Sequence, residues 1–221
     1  MGDLLNIYAS GNYDVYKNKM FVARSAVGTD IATNADPTAY AATEGMMTVY
    51  NSATAAAKPN TVIIPAFLRL VPSVVTASGT TFDVKFSLDA KDRYTSGGTT
   101  LTGSPTLIST TKTALVSKAT INFGDIVMPA ASSEKVMEEV KVHAATAGQI
   151  IGDEYLFTWG DYGGSSALKS ASAIQSYHWG LPLMYIERGC SMYLQLLVTS
   201  GATTGASFRV TFGYFEAQRG D

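Results

Sequence analysis

The chain has 221 residues, which fits one large domain with a sizeable core, with or without an extended arm. Charged residues make up only 15% and the net charge is −2, which argues against nonspecific binding to nucleic acid, since that needs clustered Lys and Arg. With a single cysteine, Cys190, there is no disulfide framework and no cysteine-based metal site. The first residues lack a basic n-region and no apolar run reaches the length of a membrane span, so we expect a cytoplasmic product without a membrane partner.

The first 45 residues have little hydrophobic periodicity of their own. Asp36, Pro37 and Gly45 are suited to the N-cap, the first position and the C′ position of a short helix over residues 37–44. We interpret residues 1–45 as an extended arm with aromatic anchors that contact a partner; the alternative is that this segment supplies the first strand of a sheet. The anchors are Tyr8, Tyr13, Tyr16 and Phe21.

After this arm, a period of two dominates the sequence, which indicates strands with one face against a core. Thr61–Val71 is apolar at both odd- and even-numbered positions, which predicts a central strand that is buried on both faces and is bent or edge-exposed at Pro65. Thr81–Ala90 has the cleanest alternation, whereas Ser132–Ala144 fits a helix or a strand, and its context favours the strand. Further strands are predicted at Met46–Tyr50, Thr106–Ser109, Ala119–Phe123, Asp125–Met128, Gln149–Trp159 and Tyr177–Ile186.

The segment Leu181–Glu216 contains two alternating runs separated by the turn residues Ser200–Ala206. Its predicted core residues include Met192, Leu194, Phe208 and Phe212. The residues that alternate with these core positions along the strands carry few charges. We therefore expect a neighbouring subunit to contact Tyr193, Gln195, Arg209 and Thr211. With about eight or nine short strands and almost no helix, residues 46–221 are predicted to form an all-β, two-sheet antiparallel sandwich.

No group of residues has the spacing of a catalytic or metal site. His143 and His178 stand in separate predicted strands, and a zinc site would need two more nitrogen or sulfur ligands. Glu187 and Glu216 could form a glycosidase pair across neighbouring strands, but each is explained more simply by solvent exposure or by an arginine partner. We therefore expect no enzymatic activity, no metal and no cofactor.

Aromatic residues flank the long loop Asp161–Ser176, where they could stack on sugar rings as in carbohydrate-binding modules. The alternative is that these side chains cap the end of the core. They are Trp159, Tyr162, Tyr177 and Trp179.

The closing part of the chain carries a family resemblance. The Gly180-Leu-Pro182 strand entry, the Tyr185–Gly189 turn, Ser191–Leu194 and Phe208–Glu216 together resemble virion proteins of tailed bacteriophages, in particular auxiliary (cement or decoration) capsid proteins with a jelly-roll domain. The resemblance is one of pattern and composition over roughly residues 60–218. It implies a structural homotrimer that is made in the host cytoplasm and binds the major capsid protein on the outer surface of the head. The alternative is a tail or head-fibre receptor-binding module, in which the four aromatic residues would contact a glycan.

Overall fold

The computed structural model describes residues 19–32, 40–53, 61–75, 81–101, 106–107, 117–129, 133–143, 151–160, 176–199 and 207–218. These residues form thirteen β-strands. The strands are β1 Lys19–Arg24, β2 Ile31–Ala32, β3 Glu44–Asn51, β4 Thr61–Val74, β5 Thr81–Asp89, β6 Ser96–Thr100, β7 Thr106–Leu107, β8 Ala119–Val127, β9 Lys135–His143, β10 Glu154–Trp159, β11 Ser176–Leu181, β12 Ser191–Thr199 and β13 Ser207–Gln218.

The strands form two sheets. The first sheet has the order β11-β10-β4-β13-β1-β7, with the short β2 also beside β13, and the second has the order β6-β8-β3-β12-β5-β9. Every neighbouring pair is antiparallel except β10 and β11, which are parallel. The prediction of an all-β, two-sheet sandwich is therefore confirmed.

Eight of these strands follow the winding of a jelly roll. In chain order, β1, β3, β4, β5, β9, β10, β12 and β13 alternate between the two sheets, except that β5 and β9 are neighbours in the second sheet. This path gives the four-strand orders β10-β4-β13-β1 and β3-β12-β5-β9, in which the closing strands β12 and β13 lie in the interior of their sheets. The remaining strands extend the sheets beyond this eight-strand core, which is why there are more strands than the sequence predicts.

The core lies between the two sheets. Met192, Leu194, Phe208 and Phe212 are fully buried, as predicted from their parity. Aromatic rings connect the sheets: Phe86 of β5 packs edge-on against Phe157 and Trp159 of β10, with centroids 5.2 Å and 5.5 Å apart. The two inner faces thus form one continuous apolar layer.

Strand β4 is the predicted central strand, since it lies between β10 and β13. All six residues from Thr61 to Ala66 are buried, so both faces of this part are covered, as the apolar run predicts. The register with β13 shifts between Gly213 and Tyr214, opposite Phe67 and Pro65. This irregularity accommodates the proline, which cannot donate a ladder hydrogen bond.

The ambiguous segment Ser132–Ala144 contains a strand, β9, as its context predicted. It lies at the edge of the second sheet, and its register with β5 shifts between Glu138 and Val136, which pair with Phe86 and Ser87. The shift explains why the alternation of apolar residues breaks at Glu138.

The predicted arm needs correction where the structure describes it. Tyr8, Tyr13 and Tyr16 lie outside the described residues, but β1 is a full strand of the first sheet between β13 and β7. Phe21 is completely buried and its ring stacks on Tyr214 with centroids 5.5 Å apart. Phe21 is therefore a core residue and not a partner anchor, and for residues 19–24 the alternative interpretation, a first strand, is the correct one.

The predicted helix over residues 37–44 is wrong in its described part. Tyr40–Thr43 is a connection with a turn at its end, and Glu44 already begins β3. Gly45, the predicted residue after the helix, is buried and pairs with Ile126 of β8. Pairing between strands thus outweighs the local capping pattern of this segment.

Gly97 and Gly28 both have positive φ angles, but only Gly97 is also closely packed against another strand. Gly97 of β6 has φ 78°, and a Cβ there would lie 2.3 Å from the backbone oxygen of Asp125. Gly28 has φ 77°, but a Cβ there would meet nothing within 4 Å. We expect Gly97→Ala to lower the free energy of unfolding by about 2–4 kcal/mol and Gly28→Ala by only about 1 kcal/mol, measured by urea denaturation. Equal losses would show that β6 does not approach β8 this closely.

Candidate interaction surface

The outer face of the second sheet is covered by the chain itself. Tyr193 of β12 is 1% exposed and lies under Arg93, whose guanidinium carbon is 5.1 Å from the centroid of the ring. Gln195 of β12 is also buried, and its Nε2 donates to the carbonyl oxygens of Ala41 and Glu44. The prediction that a neighbouring subunit contacts Tyr193 and Gln195 therefore fails, because residues of the same chain already occupy both positions.

Arg93 fixes the position of the segments that cover the outer face of the second sheet. Its guanidinium donates to the carbonyl oxygens of Pro129 at 2.6 Å and Ala42 at 2.9 Å, and its Nε is 3.9 Å from the carboxylate of Asp89. Both charged residues are only 3% exposed. Two separate connections are thus tied to one buried side chain on the outside of the second sheet.

Charges near the edge of the second sheet are also paired internally. Glu134 accepts hydrogen bonds from Lys85 Nζ at 2.8 Å and from Ser87 Oγ at 2.9 Å. Burial raises the pKa of Glu134, but the hydrogen bonds from Lys85 and Ser87 outweigh it, so the pKa is lowered overall. Lys85 also lies over the ring of Tyr40, 4.9 Å from its centroid. Little charge on this face is therefore left for a partner.

The outer face of the first sheet is covered at one end, where Val62, Ile64, Ala66 and Phe215 form a small buried cluster, but is more open beyond it. One row crosses five strands through directly paired positions: His178, Leu156, Arg69, Thr211 and Arg24. All five are partly or largely exposed, and the residues next to them along their strands turn into the core. We call the surface centred on this row the open face.

Three arginines surround one threonine on the open face. Arg69 and Arg24 are paired with Thr211 from the strands on its two sides, β4 and β1. Arg209 is two residues from Thr211 along β13, so its side chain points the same way. Paired Cβ atoms are about 5 Å apart, and i and i+2 positions about 7 Å apart, so the three arginines leave the sheet from neighbouring positions on one face. We call Arg24, Arg69 and Arg209 the arginine cluster.

Two members of the arginine cluster have acidic partners. Arg69 Nη2 is 2.9 Å from Glu154 Oε2, and Arg209 Nε is 3.4 Å from Asp30 Oδ1. The arginine side chains in these pairs remain 46% and 66% exposed. Arg24 makes no ion pair with any residue that the structure describes. The cluster therefore has one positive charge more than its acidic partners neutralise.

Apolar and uncharged side chains border the arginine cluster. A second row on the open face passes through Gly180, Thr158, Phe67, Gly213 and Val22. The ring of Phe67 lies across Gly213, where a Cβ would be only 2.1 Å from it. Arginine together with aromatic and aliphatic surface is typical of protein–protein interfaces.

Three exposed apolar side chains lie at one end of the first sheet. Val27, Val74 and Ile151 are 88%, 47% and 61% exposed. Val74 pairs with Ser207, the backbone next to Ile151 donates to the carbonyl of Pro72, and the turn that holds Val27 follows directly after β1. These residues form an apolar rim beside the open face.

The structure divides the four predicted interface residues into two pairs. Arg209 and Thr211 lie on the open face, whereas Tyr193 and Gln195 lie beneath the cover of the other sheet. Neither Arg24 nor Arg69 was predicted to be an interface residue. Arg69 did carry a signal, since it is the only charged residue in the apolar run Thr61–Val71.

The predicted glycan-contact residues are core residues where the structure describes them. Trp159, Tyr177 and Trp179 are 0%, 4% and 9% exposed, and Tyr177 stacks on Trp179 with centroids 6.0 Å apart. Burial, helped by Asp153, raises the pKa of Tyr177 to about 12. Tyr162 lies outside the described residues. The three described rings cap the core, as the alternative held, and offer no face to a sugar.

Other residues considered for chemistry have structural partners. Glu216 accepts hydrogen bonds from Ser117 Oγ at 2.6 Å and from the Lys118 amide at 2.5 Å, and His178 Nε2 is 2.6 Å from Thr158 Oγ1. In the described part of the chain, no three His, Cys, Asp or Glu residues are grouped to hold a metal ion. Within the same ranges there is no helix of the length and apolarity that a membrane span requires. No protein family, curated protein or solved structure matches the chain.

Proposed function

We propose that the protein is a structural virion component, a capsid cement or decoration protein that binds the outer surface of an icosahedral phage head as a homotrimer. The observation that supports this most is the asymmetry of the sandwich. One outer face is covered by the chain's own segments around Arg93, and the other presents the arginine cluster beside the apolar rim. A sandwich in which one outer face is partly exposed among the described residues suits a protein that lies flat on a larger surface.

The edge of the second sheet supports controlled association. Strand β9 is an edge strand, and it carries the exposed charges Lys135, Glu138, Glu139 and Lys141. Charges and irregular register on an edge strand discourage pairing with the strand of another molecule. Contacts with partners would then use the open face, and symmetric repetition over a capsid would multiply a modest affinity of each copy.

The alternative function, a tail or head-fibre receptor-binding module, gains no support from its own candidate residues. Trp159, Tyr177 and Trp179 are buried, so a glycan would have to bind elsewhere on the molecule. The cement function therefore remains our proposal, with the major capsid protein and other copies of the chain as partners.

Binding to a particle tests the proposal. We expect the purified protein to have the mass of a trimer by light scattering and to co-sediment with phage heads that lack it. Cryo-electron microscopy of these heads should show density for the protein on the outer surface. A protein that stays monomeric and sediments with no particle would contradict the proposal.

The amino-terminal anchors need a truncation that spares the sandwich. Deleting residues 1–18 removes Tyr8, Tyr13 and Tyr16 but leaves β1 in place, whereas a longer deletion would remove a strand of the first sheet. If these tyrosines bind neighbouring subunits, the truncated protein should fold with an unchanged unfolding midpoint but occupy fewer sites on the heads. Full occupancy without residues 1–18 would exclude that role.

A further inference from the structure

The arginine cluster points to the chemistry of the partner. Arg24 is exposed and makes no ion pair among the described residues, although it lies in the same row as Arg69 and close to Arg209. The whole chain has a net charge of −2, so a local excess of positive charge is not explained by its composition. We propose that the arginine cluster is a recognition site for an acidic protein segment, whose Asp or Glu carboxylates pair with Arg24 and with its two neighbours. This deepens the proposed function, because it names the chemistry of the surface that the open face binds.

Arginine is the side chain best suited to this task. Its planar guanidinium group forms two parallel hydrogen bonds with one carboxylate, which fixes orientation as well as adding attraction. The existing partners of Arg69 and Arg209 are not an obstacle, since the two arginine side chains are 46% and 66% exposed and exposed pairs of this kind contribute little to stability. Either arginine can therefore exchange its intramolecular carboxylate for one from a partner at little cost.

The surroundings favour a protein segment over a phosphate polymer. Glu154 and Asp30 lie within the same patch, so its net positive charge is small and charge alone attracts a polyanion only weakly. A protein segment can add apolar contacts, which a phosphate polymer cannot. Phe67 and Leu156 on the open face and the nearby apolar rim add surface for the apolar side chains of such a segment.

The test uses a defined acidic peptide. Hexaglutamate should bind the full chain at low salt, and NMR titration should show the largest amide shifts in β1, β4 and β13. Arg24→Glu should weaken this binding at least tenfold. Arg188→Glu is the matched control, since it makes the same change at an exposed turn outside the first sheet and should leave the affinity unchanged. Circular dichroism and the urea midpoint show that both variants fold.

The outcomes separate this inference from the proposed function. If hexaglutamate does not bind, if the two variants behave alike, or if tripolyphosphate binds more tightly than hexaglutamate, the acidic-segment proposal is wrong. If wild-type protein binds hexaglutamate but no phage head, the site stands and the cement function fails. If Arg24→Glu still binds heads with wild-type affinity, the cement function stands and the partner does not use this cluster.

Discussion

Replacing Asn51 by alanine is expected to lower the free energy of unfolding by about 3–5 kcal/mol. Asn51 is fully buried at the end of β3, and its Nδ2 donates to the carbonyl oxygens of Thr61 and Ile186, both at 2.9 Å. Its Oδ1 accepts from the amide of Ala53 at 3.1 Å. The alanine variant removes all three of these buried hydrogen bonds, and with them the side-chain link from β3 to Thr61 and Ile186. Among the described residues, the Ile186 carbonyl then keeps only the hydrogen bond from the Ile63 amide. Urea denaturation followed by tryptophan fluorescence measures the loss.

Thr48 provides the matched control in the same strand. Its side chain is also fully buried, but its Oγ1 makes no hydrogen bond with any described residue. Thr48→Val keeps the shape and removes a hydroxyl that has no partner, so we expect a change within about 0.5 kcal/mol or a slight gain in stability. Similar losses for Asn51→Ala and Thr48→Val would mean that packing, not hydrogen bonding, accounts for the effect at Asn51.

Replacing Arg93 by alanine should have an effect of the same size, about 3–5 kcal/mol. The change removes hydrogen bonds to Pro129 and Ala42 and leaves the Asp89 carboxylate, which is 3% exposed, without its ion pair. It also uncovers the ring of Tyr193. Thermal and urea unfolding of the variant measure this loss.

A second substitution identifies the part due to the buried charge. Adding Asp89→Asn to Arg93→Ala should recover some of the lost stability, because a neutral amide is less costly to leave in this environment than a carboxylate. Asp89→Asn alone should destabilise the wild-type protein. A double variant as unstable as the sum of the two single variants would show that Asp89 and Arg93 do not interact energetically.

The period of two was sufficient to predict the class of fold and much of the core. Met192, Leu194, Phe208 and Phe212 are buried because their parity places them on the inner faces of two interior strands. The apolar run also predicted β4 correctly over residues 61–66, which are covered on both faces. It was wrong for the rest of Thr61–Val71, where Phe67, Arg69 and Val71 are partly or largely exposed on the outer face.

Parity could not predict which outer face the chain covers. Tyr193 and Thr211 have the same signature in the sequence, since each follows a core position in an alternating strand. They differ only because the segment around Arg93 packs on β12, while no described segment packs on Thr211 in the same way. Such a contact joins residues 100 positions apart, and no local pattern specifies it.

The same limit applies to the aromatic residues of β10 and β11. Tyr155, Tyr177 and Trp179 become neighbours only because these two strands run parallel and in register. Parallel strands are joined by a long crossover connection, so no short turn motif in the sequence predicts that β10 and β11 pair. The sequence alone therefore could not distinguish buried rings from rings that are exposed on a binding surface.

The position of β13 has a consequence for how the protein is made. β13 lies between β4 and β1 in the interior of the first sheet, yet it follows every other described strand along the chain. β1 ends at Arg24 and β13 begins at Ser207, so 183 positions separate two strands that pair with each other. During translation, β1 and β4 thus have no strand between them until β13 leaves the ribosome. Closure of the first sheet therefore has to wait for β13 and is slow and long-range, and nascent chains need protection from one another until it is complete.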